Sequence, residues 1–271
     1  MDFKGGKIGI IAPSGVVNDI EALSGLEGVK IFPSCYEAEL TDEMRLKDLH
    51  GAFLDDEVKF ILCARGGYGI LRILDKIDYD LIARHPKIFA GSSDITLLLL
   101  SFLANCNLKT YHSQMALKIF KNGMFENLID TVEGKNTRLE GGKAILKGSA
   151  EGILWGGNLA TIVSLFGSDE VAYMPKEDIL LFLEDINEPL YKIDRMLTQI
   201  FRSCALRPKI KGLIFGDFGD IDATELLHEF AHKFNVPSYY GFKISHGADS
   251  VAIPVGASAK LTQNGEVIFG V

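Results

Sequence analysis

The segment Phe89-Ala90-Gly91-Ser92-Ser93-Asp94-Ile95-Thr96 passes from an apolar strand, through small polar residues, into a stretch that we predict to be helical. Around it, short apolar runs alternate with longer amphipathic stretches, which is typical of β-α units around a parallel sheet. The predicted strands are Lys7–Ala12, Val29–Phe32, Val58–Cys63, Ile88–Ala90 and Leu108–Tyr111. The predicted helices are Glu43–Leu54, Tyr68–Lys76 and Asp94–Asn105. The sequence therefore predicts an α/β protein with an N-terminal doubly wound parallel-sheet domain.

Apolar periodicity weakens where glycines mix with lysine, glutamate and asparagine, and we predict a linker over residues 126–150. It separates an N-terminal domain over 1–125 from a smaller C-terminal α/β domain over 151–271, with the active site between them. In the second domain we expect a helix opened by Trp155-Gly156-Gly157-Asn158 and helices over Leu190–Ser203 and Ala223–Phe234. The expected strands are Ile179–Leu183, Ile210–Phe215, and short tail strands at Val251–Val255, Ala257–Leu261 and Gly265–Val271.

The chain has 271 residues, with 36 Asp and Glu against 28 Lys and Arg, for a formal net charge of −8. A protein that neutralises phosphates normally displays a basic face, so this balance argues against a nucleic-acid partner. The longest apolar stretch, Ile95–Cys106, is shorter than the roughly 18 to 20 residues needed to span a bilayer. The first residues also lack the order of a secretory signal. We expect a cytoplasmic protein that acts on a small molecule or peptide, away from membranes.

Ser93 stands where a parallel strand turns into a helix. There, the helix N-terminus would offer backbone N–H groups to a developing oxyanion, which is typical of a nucleophile position. Ile95 replaces the second glycine of the Gly-x-Ser-x-Gly elbow, and a simple capped helix is the alternative. Ser92 is the neighbouring candidate, and the sequence alone separates the two serines poorly.

The glycine-rich segment Arg65-Gly66-Gly67-Tyr68-Gly69 follows the predicted strand Val58–Cys63. Its glycines would let the backbone approach a ligand closely, or simply form a tight turn. Arg72 stands where a dinucleotide fingerprint needs its third glycine, and there is no P-loop. We therefore expect no nucleotide and no other cofactor.

His228-Glu229-Phe230-Ala231-His232 matches the zinc-peptidase pattern of two histidines separated by one turn, with a glutamate between them. On a helical wheel both histidines project away from the apolar face, and no third ligand stands at a recognised spacing. A solvated helix face is the favoured interpretation, and a zinc peptidase is kept as the alternative.

Two other side chains are candidates for acid-base chemistry. Glu184 begins where the predicted strand Ile179–Leu183 leaves the core, with Asp185 and Glu188 close behind it, and one of these carboxylates could orient a histidine. His246 lies in a glycine-rich loop and is a better base candidate than a histidine on an outward helix face, unless it is merely exposed.

Ordered motifs over nearly the whole chain resemble those of the LD-carboxypeptidases, serine peptidases that trim murein peptides, and of the related microcin-immunity peptidases. These motifs are Ile10–Gly15, Ala64–Gly69, Gly91–Thr96, Gly156–Leu159, Leu183–Asp185 with Tyr191–Leu197, and His246-Gly247 ahead of Ile253–Gly256. The chain departs from the family at Tyr111-His112-Ser113-Gln114, since Gly-Pro commonly follows the histidine.

The resemblance implies a Ser-His-Glu triad with Ser93 as nucleophile, His246 as general base and Glu184 as the orienting carboxylate. It implies an oxyanion hole from the amides of Asp94 and Gly67. Arg65 and the amide of Gly66 are the candidates for binding the substrate carboxylate.

The implied activity is removal of a terminal D-alanine from murein tetrapeptides in cell-wall recycling, by a homodimer. A peptidase acting on a peptide antibiotic is the alternative within this fold. A two-domain ligand-binding protein without enzymatic activity is the alternative outside it.

Overall fold

The computed structural model describes residues 5–167 and 170–270, so the predicted strand end at Val271 and the first four residues lie outside it. The strands are β1 (Lys7–Ile11), β2 (Val29–Ile31), β3 (Val58–Cys63), β4 (Ile88–Gly91), β5 (Thr110–His112), β6 (Arg138–Leu139), β7 (Lys143–Leu146), β8 (Ala150–Asn158), β9 (Ile179–Glu184), β10 (Ile210–Phe215), β11 (Ser238–Tyr240), β12 (Ile253–Val255), β13 (Ser258–Leu261) and β14 (Val267–Phe269). The α-helices are α1 (Asp42–Leu54), α2 (Tyr79–Arg84), α3 (Thr96–Cys106), α4 (Ala116–Lys121), α5 (Phe125–Val132), α6 (Leu159–Val163), α7 (Leu190–Arg202) and α8 (Thr224–Phe234).

The first sheet has the strand order β12-β5-β4-β3-β1-β2, and β1 to β5 pair in parallel. Its parallel part is thus ordered 2-1-3-4-5, the doubly wound arrangement whose order reverses between β1 and β3. Ligands of such sheets bind beyond the carboxyl ends of the strands at this switch point. The fold confirms the predicted doubly wound domain, and it brings the segments after β1, β3 and β4 to one edge.

One strand of this sheet comes from the far end of the sequence. β12 pairs antiparallel with β5, where Ile253 faces His112. The tail strand predicted over Val251–Val255 thus extends the first sheet, although its residues lie in the part of the chain predicted as the C-terminal domain. Sequence reasoning missed it because a three-residue apolar run does not say which sheet edge it will extend.

The second sheet has the strand order β6-β14-β13-β8-β9-β10-β11-β7. Its centre, β8 to β11, is parallel, and antiparallel strands flank it. Residues 126–150, predicted as a linker, contribute most of α5 as well as β6 and β7. These strands are short and partly exposed, which is why their periodicity is weak. Where the two domains divide stays a prediction.

Two predicted helices differ from the observed elements. Tyr68–Lys76 holds two 3-10 turns, Ile70–Arg72 and Leu74–Lys76, and Gly69 before them has a φ of 138°. Trp155–Gly157 extend β8, and only Asn158 acts as a helix cap, since its side chain accepts from the Thr161 amide. Helices α2, α4 and α5 were not predicted, because each spans only about two turns.

Helix α3, which begins three residues after Ser93, contacts both sheets. Residues 96–102 are all buried, and the helix contacts β5 of the first sheet and β8 of the second. The Asn158 amide donates to Thr96 Oγ1 at 3.2 Å, and a Cβ on Gly157 would stand 2.6 Å from Thr96 Cγ2. The carboxyl end of β8 therefore packs directly against the helix start that follows Ser93.

Across residues 5–167 and 170–270, none of the helices combines the length and the apolar character that crossing a bilayer requires.

Candidate active site

Ser93 occupies a strained turn between β4 and α3. Its φ is 58°, a left-handed conformation that costs a non-glycine residue roughly 1–2 kcal/mol. Ser92 stands at the cap position of the 3-10 turn Ser93–Ile95, but its side chain makes no capping hydrogen bond. The alternative of a simple capped helix therefore loses its main support. Strain at a strand-to-helix serine is the hallmark of a nucleophile elbow.

The glycine-rich loop after β3 lies against this serine. A Cβ on Gly66 would stand 2.8 Å from Ser93 Cβ and 2.9 Å from its Oγ, so no larger residue fits. Gly67 has a φ of 129°, and the Gly66 carbonyl accepts the Gly15 amide at 3.1 Å. The loop is thus held between the segment after β1 and the serine turn.

The Asp94 side chain ties this edge of the sheet together. Its Oδ2 accepts the Ser14 hydroxyl at 2.6 Å and the Ile70 amide at 3.1 Å, and the carboxyl is buried. Burial raises the pKa of Asp94, although both hydrogen bonds oppose the shift. Its carboxylate therefore joins the segments after β1 and β3 to the turn that carries Ser93. The backbone amide of Asp94 is the group that the sequence analysis predicts for the oxyanion hole.

Glu184 and His246 are in direct contact. Glu184 ends β9 and is fully buried, and its Oε2 lies 2.8 Å from His246 Nδ1. Burial lowers the pKa of His246, but the hydrogen bond and charge of Glu184 outweigh it, so this pKa is raised above its ordinary value. The residue pattern alone left open which carboxylate contacts the histidine, whereas the family resemblance implied Glu184. The structure shows the contact with Glu184.

The neighbouring acidic groups have other partners. Asp185 accepts the Asn158 side-chain amide at 3.0 Å and the Ala160 amide at 2.9 Å, which fixes the start of α6. Glu188 pairs with Lys192 at 3.2 Å, one turn later along α7. Asp185 therefore fixes the local backbone and Glu188 pairs with a side chain of α7, while the carboxylate in contact with His246 is Glu184.

Gln114, which follows β5 of the first sheet, binds the loop that carries His246. Its Nε2 donates to the Ala248 carbonyl at 2.9 Å and to the Ser250 carbonyl at 3.2 Å, while its Oε1 accepts Asn122 Nδ2 at 2.8 Å. Lys118 Nζ adds a hydrogen bond to the His246 carbonyl at 3.3 Å. Sequence reasoning noticed this segment only as a departure from the family pattern.

Ser93 and His246 line one cavity of about 350 Å³, together with Arg65, Gly66 and Gly67. Lys118 also lines it. Arg65 is largely exposed, and its Nη1 donates to the Val16 carbonyl at 2.8 Å. The predicted nucleophile, base, glycine loop and arginine thus line one cavity. Glu184 contacts the histidine, and the Asp94 carboxylate binds Ser14 and Ile70.

The histidines of the zinc alternative lie elsewhere, on α8. His228 packs edge-on against Tyr240 with ring centroids 5.7 Å apart, His232 is exposed, and Glu229 pairs with Lys233 at 2.7 Å. Among the residues that the structure describes, no cluster of three or more His, Cys, Asp or Glu could hold a metal ion. Neither histidine lines the cavity that contains Ser93.

Comparison with known proteins assigns the family. Residues 8–113 match the LD-carboxypeptidase N-terminal domain, and residues 151–261 match the LD-carboxypeptidase C-terminal domain. A probable murein peptide carboxypeptidase of Bacillus subtilis is 37% identical over 239 residues, which cover 81% of this chain and 74% of that protein. The murein tetrapeptide carboxypeptidase of Pseudomonas aeruginosa is 31% identical over 245 residues, covering 83% of this chain and 79% of that protein.

A solved structure agrees over almost the full length. The crystal structure of muramoyltetrapeptide carboxypeptidase from Oxalobacter formigenes superposes with a TM-score of 0.84 at 28% identity, covering 97% of this chain and 99% of that chain. These matches confirm the resemblance seen in the sequence motifs, and they favour serine chemistry over the zinc alternative. The chain therefore belongs to the LD-carboxypeptidase family and is a serine peptidase.

Proposed function

We propose that Ser93, His246 and Glu184 form the catalytic triad. The observation that carries this proposal is the 2.8 Å contact between Glu184 Oε2 and His246 Nδ1, beside a cavity lined by both His246 and a strained Ser93. Glu184 holds the histidine with Nδ1 protonated, which leaves Nε2 free to accept the Ser93 proton. The serine oxygen then attacks the scissile carbonyl, and His246 returns the proton to the departing amine.

The oxyanion that develops in this attack needs N–H donors, and we assign the amides of Gly67 and Asp94. Because a trans peptide unit is planar, its N–H points opposite to its carbonyl. The Gly66 carbonyl faces Gly15, so the Gly67 N–H of the same unit points to the other side. The Asp94 amide follows the nucleophile directly, as in other strand-to-helix elbows.

Two cations face the cavity and fit a substrate that ends in a carboxylate. Within the described residues, neither Arg65 nor Lys118 forms an ion pair, although the protein carries a net charge of −8. Arg65, with the amide of Gly66 beside it, is our candidate for the terminal carboxylate, since a guanidinium offers paired donors to a planar anion. An exopeptidase would recognise its substrate by this group.

We propose that the substrate is a murein tetrapeptide and that the bond cleaved joins an L-centre to the terminal D-alanine. The names of the relatives from Bacillus subtilis and Pseudomonas aeruginosa support this substrate class. Once the carboxylate and the scissile carbonyl are fixed, a misplaced methyl group would block attack rather than merely weaken binding. The enzyme should therefore discriminate by stereochemistry.

The test supplies purified protein with a tetrapeptide ending in D-alanine, its L-alanine counterpart, a pentapeptide ending in D-Ala-D-Ala, and a peptide-antibiotic conjugate. Chiral chromatography of the released alanine should show turnover of the first peptide, little of the second and none of the third. Equal rates on these three would contradict the proposal, and turnover of the conjugate alone would favour the antibiotic alternative.

The family resemblance also underlies our proposal that the enzyme is a homodimer that works in the cytoplasm. Sedimentation velocity should give twice the mass of one chain at micromolar concentration. Fractionation of cells should place the activity with cytoplasmic markers. A monomer at all concentrations, or activity outside the cytoplasmic fraction, would contradict the corresponding half of this proposal.

A further inference from the structure

His112, at the end of β5, is a fully buried residue with an unusual environment. Neither of its ring nitrogens has a hydrogen-bond partner among the described residues. Burial lowers the pKa of His112 to about 4, so the ring is neutral near pH 7 and carries one N–H. A buried donor without a partner is costly, and native proteins keep such groups only rarely. The ring therefore calls for a nearby acceptor.

Glu184 has a buried hydrogen-bond acceptor without a partner among the described residues. Its Oε2 contacts His246, whereas its Oε1 is buried and has no partner among the described residues. A carboxylate accepts several hydrogen bonds, and a buried one needs them to stay charged. One unpaired buried donor and one unpaired buried acceptor thus belong to the same part of the molecule.

The packing brings these two groups to the same junction between the sheets. The His112 ring meets Phe182 of β9 edge-on, with centroids 5.6 Å apart. Phe182 and Glu184 are two residues apart on β9, so their side chains leave the same face of the strand. Burial has the largest effect on the pKa of His112 and lowers it. The negative charge of Glu184 raises this pKa and the positive charge of His246 lowers it, as expected for close neighbours.

We propose that His112 is a positioning residue that donates its ring N–H to Glu184 Oε1 through one bridging water molecule. The inference rests on the triad proposed above and extends it by a fourth side chain. Glu184 would then be held at both oxygens, by His246 on one side and His112 on the other. This would prevent the carboxylate from rotating away from His246 and would satisfy both buried groups.

The first test compares two substitutions of similar size. His112→Phe removes the donor but keeps the ring packed against Phe182, whereas His112→Gln keeps an N–H donor. We expect kcat of the Phe variant to fall about 10- to 100-fold, as is usual for a supporting hydrogen bond. KM should stay within about twofold, because His112 does not line the cavity, and the Gln variant should recover most of the loss. Equal losses in both variants, or full activity of the Phe variant, would overturn the proposal.

A second measurement needs neither a substrate nor a stable His112 variant. In ¹⁵N-histidine-labelled wild-type protein, His112 should give a ring N–H proton that is shifted downfield and exchanges slowly. Glu184→Gln should move this signal. The ring signals of His50 are the control and should stay in place, because His50 lies on α1 and its Nε2 accepts the Asp78 amide. A fast-exchanging or unmoved His112 signal would overturn the proposal. Failure to cleave any murein peptide would instead count against the proposed function and leave this signal intact.

Discussion

Nε2 of Gln114 lies 2.9 Å from the Ala248 carbonyl, which fastens the loop carrying His246 to the segment that follows β5 of the first sheet. Ser93 follows β4 of the same sheet, whereas Glu184 comes from β9 of the second sheet. The spacing between the serine and the histidine therefore depends on contacts between these segments, and Gln114 makes two of them, to Ala248 and Ser250.

Gln114→Ala should loosen the His246 loop. Three hydrogen bonds are lost, each worth about 1 kcal/mol net, so we expect about 2–3 kcal/mol lower unfolding free energy. Faster hydrogen exchange over residues 245–251 and a lower kcat should accompany it. Asn122→Ala, which removes only the hydrogen bond to Gln114 Oε1, is the matched control and should have the smaller effect on both. Unchanged exchange in the Gln114 variant would show that other contacts hold the loop.

Ser93→Ala and His246→Ala should each lower kcat by about 10⁴- to 10⁶-fold, and the double variant should be scarcely worse, because the two groups act as a unit. Steady-state kinetics with matched folding measurements checks this. Ser92→Ala is the control and should retain activity, since Ser92 has an extended backbone without the strained φ of Ser93. An inactive Ser92 variant beside an active Ser93 variant would move the nucleophile by one residue.

The pH profile should carry the signature of Glu184. His246 must be neutral to act as a base, and its raised pKa places the acid limb of kcat/KM above the ordinary histidine value of about 6.5. In Glu184→Gln the burial of His246 remains while the charge that opposes it is gone, so the limb should shift to lower pH. Activity should also fall, by about 10⁴-fold if the carboxylate acts as in other triads.

Substitution of Lys118 should shift the pKa of His246 in the opposite direction and serves as a control. Its charge lowers the pKa of His246, so Lys118→Met should move the acid limb to higher pH. An NMR titration of the His246 ring would read both shifts directly. Shifts in the same direction for the two variants would contradict this assignment of causes.

Gly66→Ala should reduce turnover more than stability. The added Cβ would stand 2.8 Å from Ser93 Cβ, so either the glycine loop or the serine must move, and a displacement of about 1 Å can cost about 10²-fold in rate. Gly51→Ala, inside α1, is the control, since its Cβ would make an ordinary 3.8 Å contact with the Phe32 ring. It should leave kcat unchanged and raise stability by about 0.5–1 kcal/mol. Comparable kinetics of the two variants would argue against a tight fit at Gly66.

Metal removal separates serine from zinc chemistry. A zinc enzyme loses its activated water when a strong chelator strips the metal, whereas a triad does not depend on one. Activity should therefore survive the chelator, and also survive combined substitution of His228 and His232 by alanine. Loss of turnover in a correctly folded double variant would contradict the serine mechanism.

Local patterns were enough to predict the first five parallel strands and the serine at the turn after β4, because apolar runs and glycines act over a few neighbouring residues. Family motifs were enough to single out Arg65, Glu184 and His246. The family assignment and the doubly wound class were thereby predictable without coordinates.

Contacts between distant segments decided the rest. Only the tertiary structure brings β12 to the edge beside His112, gives Asp185 its contacts at the start of α6, and turns Gln114 toward Ala248. Each of these depends on the direction of a side chain and on which sheet edge a short strand extends. Neither property leaves a periodic signal in the sequence, because both are set by packing between residues that lie tens to more than a hundred positions apart.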